Sequence, residues 1–134
     1  MNRLEVFGIE GLGEVTRGAA LAALITEGAG NAGTPLADGD ALVVTQKVVS
    51  KAEGAMAAVD PDDPLAHKPL VEDHSVRILR RRGELIISET DHGFVCANAG
   101  IDLSNVERGE AALLPTDPDR SARRIRDALA ARFG

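Results

Sequence analysis

The stretch Val76-Arg77-Ile78-Leu79-Arg80-Arg81-Arg82-Gly83-Glu84-Leu85-Ile86-Ile87-Ser88-Glu89-Thr90-Asp91-His92-Gly93-Phe94-Val95-Cys96-Ala97 decides the fold. Val76–Ile78 and Leu85–Ile87 are short runs of branched aliphatic residues joined through Arg80-Arg81-Arg82-Gly83, and they read as strands. After the Asp91-His92-Gly93 turn, Phe94–Ala97 reads as a third. Three strands in such quick succession predict an antiparallel sheet, because parallel pairing needs a long crossover between partners.

Upstream, Leu4 to Ile9 alternates in a β-like way until Gly8, Gly11 and Gly13 break it, which predicts a strand running into a turn. Ala19–Ile25 favours helix, with Leu21, Leu24 and Ile25 on one face and a stop at Gly28 and Gly30. Asp38-Gly39-Asp40 then turns into Ala41-Leu42-Val43-Val44, a continuous apolar run expected of a strand buried on both faces. Pro61, Pro64 and Pro69 make the stretch from Asp60 to Asp73 a loop or crossing linker. In the tail, Asp117 is the expected N-cap and Pro118 the first helical residue. Ala122, Ile125, Leu129 and Phe133 form a stripe expected to pack on the sheet. Strands and helices mix without a regular βαβ alternation, so the expected class is α+β, with a mixed or antiparallel sheet and a few flanking helices.

Composition narrows the function classes. The chain has 134 residues and a formal net charge of -6, a size that suits one domain, 1–134. Three Phe with no Tyr and no Trp give an aliphatic core and almost no platform for stacking bases. The acidic balance repels phosphate backbones, so no nucleic-acid partner is expected. The single cysteine, Cys96, excludes an intramolecular disulfide and a Cys-based zinc site, and lies in an apolar run as an inert buried thiol would. No apolar run approaches the roughly 20 residues that span a bilayer, so no membrane partner is expected and a cytoplasmic location is the default.

Among motifs, Gly28-Ala29-Gly30-Asn31-Ala32-Gly33 matches the dinucleotide pattern but follows a helix where a strand is required, and reads as a linker ending that helix. No P-loop sequence occurs. His67, His74 and His92 match no metal-ligand spacing, and Arg77 with Arg80–Arg82 reads as a solvated hairpin tip or an anion contact. Two segments carry more chemistry. From Val43 to Gly54, an apolar run delivers Thr45, Lys47, Ser50 and Lys51, where lysines supply compact positive charge for phosphates. From Gly93 to Glu107, small residues allow close backbone approach while Asn98, Asp102, Ser104 and Asn105 offer hard oxygen ligands, or alternatively close an Asx-turn.

Four blocks together resemble the coenzyme F-420 γ-glutamyl ligases: Val6–Leu12, Asp38–Gly54, Glu89–Val106 and Leu113–Ala122. The resemblance implies the fold of the N-terminal part of that ligase domain, the chain being a fragment or a shortened version of it. It implies a GTP-dependent amide ligase adding L-glutamate to the deazaflavin precursor through an acyl phosphate, releasing GDP and phosphate. Magnesium or manganese would assist, with potassium as a further ion, and the enzyme would be a homodimer. A non-catalytic nucleotide-binding or dimerising module is the alternative. Carried over by position, Gly11, Leu12, Gly13, Glu14, Gln46, Lys47, Lys51 and Asn105 would contact GTP, and Asp102 would bind the metal; no catalytic residue is assigned. The chain departs from the family in Gly13, where proline is usual, in Ala19-Ala20, where an acidic pair is usual, and in a shortened stretch between about Asp60 and Glu72. The family's later Asp-Thr motif, which supplies a second metal ligand, has no counterpart before Gly134.

Overall fold

The computed structural model describes residues 3–133. The larger sheet is the expected antiparallel one, β2 (Ser75–Arg82), β3 (Leu85–Thr90) and β4 (Val95–Ala97), in the order β2-β3-β4. The hairpin turn falls at Gly83-Glu84, so Arg80–Arg82 belong to β2 and not to the connection. Strand β3 buries Ile86, Ser88 and Thr90 on one face. Its other face shares Leu85, Ile87 and Glu89 with cross-strand partners Arg82, Arg80, Arg77, Ala97 and Val95. A second, two-stranded antiparallel sheet pairs β1 (Met56–Ala58) with β5 (Glu110–Ala112). Both are short and nearly all Ala or Met, without the β-branched content that marks a strand in sequence.

Four helices flank the sheets: α1 (Leu21–Asn31), α2 (Gln46–Glu53), α3 (Lys68–Asp73) and α4 (Pro118–Phe133). Helix α1 runs past both glycines expected to stop it, because Gly28 lets Ile9 and Leu12 lie directly on the helix. A Cβ there would sit 2.5 Å from Leu12 Cδ2 and 2.9 Å from Ile9 Cγ2. The Gly28–Gly33 motif is therefore a packing surface and a helix end. The Asp117 cap holds, its Oδ1 accepting the Arg120 N–H at 2.9 Å. Helix α4 packs against α1, not on the sheet as expected: Ile125 joins the cluster of Val15, Leu21, Ile25, Val49 and Ala52, while Ala122 and Phe133 of the expected stripe are exposed.

Two predicted strands are absent. Residues 4–9 and 41–44 are extended segments with no strand pairing among the described residues. Leu42 and Val44 pack on the first cluster while Val43 is 90% exposed, so the run is buried on one side only. An apolar run becomes a two-faced buried strand only where a sheet edge receives it, and neither run pairs with a strand among the described residues. A second cluster of Val71, Ile86, Ala99, Ile101 and Ala111 fills the space between α3, the main sheet and β5.

Candidate functional site

The candidate site forms where β5 leaves the small sheet. Asp102 is pinned beside it by a two-way backbone bridge, its N–H donating to Ala112 O at 3.0 Å and its carbonyl accepting from Ala112 N–H at 2.8 Å. One residue on, Leu113 N–H donates to Ala55 O at 2.9 Å, and Leu113 O accepts from Ser50 Oγ at 2.6 Å and Gln46 Nε2 at 2.8 Å. Consecutive residues of one strand exit thus hold Asp102 on one side and α2 on the other. Upstream of Asp102 the chain makes a tight turn in which Asn98, Ala99 and Gly100 all have positive φ (49°, 51° and 72°), a costly arrangement for a buried alanine. Asn98 Oδ1 stabilises that turn by accepting from Ile86 N–H and Lys68 Nζ, both at 3.2 Å, so it serves the fold and not a ligand.

Helix α2 delivers the cations. Thr45 is its N-cap and Gly54 its left-handed C-cap, giving eight residues in which Lys47 and Lys51, four apart, share a face. Lys47 Nζ lies 2.6 Å from Asp102 Oδ2 and donates to Ser104 Oγ at 2.8 Å. Lys51 Nζ pairs with the Glu14 carboxylate. Ser104 supports Asp102 in turn: its N–H and hydroxyl both donate to Oδ1 at 2.8 Å. Partial burial alone would push the Asp102 carboxyl up. The hydrogen bond from Lys47, the two from Ser104 and the Lys47 charge outweigh it and hold the group down at about 2.

The nine residues expected at the site fall into four sets. Lys47, Lys51, Glu14 and Asp102 converge as two ion pairs along one face of α2. Gly11, Leu12 and Gly13 lie on the segment laid over α1, with Gly11 and Gly13 in left-handed conformation and Leu12 packed on Gly28. Asn105 is an exposed left-handed residue beside Ser104. Gln46 turns away from the lysines: its amide is bonded to Leu113 O and Ser50 Oγ, which gives it a positioning duty. Sequence reading missed the anchoring of α2 by Leu113 O and the opposition of Lys47 to Asp102. Nothing local signals either, since the partners lie 67 and 55 positions apart.

No cluster of three or more His, Cys, Asp or Glu able to cage a metal occurs among the described residues. No hydrogen bond joins a histidine to Asp102, Ser104, Lys47 or Lys51 among the described residues. His92 stacks on Phe94 with ring centroids 5.6 Å apart, its Nε2 within 2.8 Å of Pro115 O. The donor set around Asp102, one ionised carboxylate with a serine hydroxyl, is hard and oxygen-only. It fits a small divalent cation that takes one or two carboxylates and completes its shell with water and substrate phosphates, and not a protein-only cage.

Comparison with known proteins finds related sequences. The family described as F420-0:Gamma-glutamyl ligase matches residues 11–134. The Coenzyme F420:L-glutamate ligase of Methanothermobacter thermautotrophicus is 41% identical over 136 residues, covering 91% of this chain and 54% of that protein. The like-named proteins of Methanopyrus kandleri and Halorubrum lacusprofundi are 40% and 34% identical, over 87% and 96% of this chain and 50% and 57% of their own lengths. The chain spans about half the length of the curated relatives it matches.

Proposed function

The chain belongs to the F420-0:Gamma-glutamyl ligase family, and we propose that it carries the nucleotide- and metal-binding part of an amide ligase joining L-glutamate to the carboxylate of the deazaflavin F420 precursor. The observation that carries this reading is the face of α2, where Lys47 stands beside Asp102, a carboxylate held ionised at about 2, and Lys51 stands beside Glu14. In the proposed reaction the precursor carboxylate oxygen attacks the γ-phosphorus of GTP and GDP leaves. The glutamate amine then attacks the acyl carbon, the C–N bond forms, inorganic phosphate departs, and the amine gives up a proton. Such transfers require positioned phosphates and neutralised charge more than covalent help from the protein.

Lys47 and Lys51 would hold phosphate oxygens, Asp102 with Ser104 would hold the divalent cation, and the 11–14 segment would line the nucleotide. The cation, magnesium or manganese, would draw charge from the phosphates as it leaves the γ-phosphorus open to attack. Gln46 and Ser50 fix the helix that carries the lysines. Isothermal titration of GTP with and without manganese tests the reading: metal-dependent binding that Asp102→Ala abolishes is expected. Absence of metal-dependent binding, together with no effect of Asp102→Ala, would sink it.

A second reading follows from the single carboxylate at the cation position. A module that binds nucleotide and dimerises, and that turns over only with a carboxylate supplied by another chain, fits the same donor set. The mass of the deazaflavin product after incubation with GTP, manganese and glutamate separates the two. A gain of one glutamate supports the complete ligase, and binding without that gain supports the module.

A further inference from the structure

The two charges at the centre of the site face each other. Lys47 Nζ is 2.6 Å from Asp102 Oδ2, and the pair is clamped by Ser104, whose hydroxyl accepts from Lys47 and donates to Asp102. The Lys47 side chain is shielded, at 20% exposed, while that of Asp102 is 39% exposed, so bulk salt screens the pair only in part. Oδ1 already takes two donors from Ser104 and Oδ2 takes the ammonium, which leaves the carboxylate no uncommitted oxygen. We propose that the Lys47–Asp102 ion pair is a latch within the site, so that a divalent cation at Asp102 and a phosphate at Lys47 must each displace the other residue.

The proposal rests on the reading above, which makes these residues ligands, and adds how they respond. A cation arriving alone meets an ammonium a few ångströms from its ligand, and an anion arriving alone meets a carboxylate. Arriving together they exchange partners: carboxylate with cation, ammonium with phosphate, and the charges still alternate. Each ligand therefore improves the affinity of the other by the same factor, a reciprocity that thermodynamic linkage demands. The second pair on the same helix face does not share this role, because Glu14, with its side chain 75% exposed, sits on the segment before α1 and leaves Asp102 untouched by Lys51.

The test measures binding with no turnover. Manganese alone is titrated into the full chain and its free fraction followed by electron paramagnetic resonance, for the wild type, Lys47→Met, Lys47→Gln and Lys51→Met. A latch predicts that both Lys47 variants bind manganese roughly three- to tenfold more tightly than the wild type, as release of a partly shielded partner allows. Lys51→Met removes the same charge without opening the pair and should shift affinity distinctly less. Reciprocally, Asp102→Asn should bind pyrophosphate alone more tightly than the wild type. Equal effects of the Lys47 and Lys51 variants, no gain on opening the pair, or no measurable manganese binding to Lys47→Met in the millimolar range each overturn the latch. The outcome for the underlying reading is separate: if Asp102→Asn leaves metal-dependent GTP binding intact, the assignment of Asp102 itself fails.

Discussion

Asp102 shows what a single residue owes to its setting. As a type and a position it was legible, since an aspartate among Asn, Ser and Gly offers hard oxygens; its partner was not, because the contact with Lys47 spans 55 positions. The setting has a measurable consequence. A carboxyl held at about 2 in the fold and near 4 in the unfolded chain is bound more weakly by protons when folded. Its contribution is complete above pH 4 and is lost as pH falls from about 4 towards 2. The contribution to stability is small, because the Asp102 side chain is more than a third open to solvent. The titration itself is the clearer observable. Carbonyl-detected NMR of the metal-free protein should place the Asp102 midpoint near 2. In Lys47→Met the midpoint should move up towards the ordinary aspartate range, and an unmoved midpoint would show that Ser104 alone sets it.

At the scale of elements, legibility tracked how local the signal is. The β2–β3 hairpin and the α4 cap are written in neighbouring residues: alternating apolar runs around Gly83, and Asp117 before Pro118. The runs at 4–9 and 41–44 carry the same kind of signal yet form no strand, because whether an apolar run pairs is decided by an edge elsewhere in the molecule. The placement of α2 is equally non-local, resting on Leu113 O, which accepts from both Gln46 and Ser50. Ser50→Ala removes one of two donors to this carbonyl and should cost about 1 kcal/mol in denaturant unfolding, and Gln46→Ala a similar amount. The double variant leaves the carbonyl without a side-chain donor and should exceed the sum of the two by about 0.5 kcal/mol or more. Strict additivity would mean that water replaces them. Helix α1 yields a different kind of expectation. Gly28→Ala suits the helix by up to about 1 kcal/mol. Its methyl would nonetheless occupy the space of Leu12 Cδ2 and Ile9 Cγ2, the mobile ends of their side chains. Global stability should therefore change little. Amide exchange across 9–15 should rise and GTP affinity fall, because the segment carrying Gly11–Glu14 loses its seat on α1; unchanged exchange there would refute this.

For the whole molecule, the two hydrophobic clusters leave one face of the main sheet uncovered. Leu85, Ile87, Val95 and Ala97 form an apolar strip bordered by Arg77, Arg80 and Arg82, and no described element packs on it. Leu85 and Val95 are 41% and 57% exposed. A net charge of -6 per chain opposes self-association at long range, but the basic row makes this face the least repulsive place for two copies to meet. If the expected homodimer forms through this face, association should strengthen as salt screens the net charge, the reverse of an interface held by surface ion pairs. Val95→Lys places a charge on the strip opposite Glu89, where the cross-strand pair supports the monomer, so a loss of association cannot be assigned to unfolding. Sedimentation over a range of protein and salt concentrations should show a wild-type dimer that Val95→Lys and Leu85→Gln both weaken, with melting curves little changed. A wild-type dimer unaffected by either substitution would place the interface elsewhere, and a chain that stays monomeric throughout would remove the dimer from the proposal.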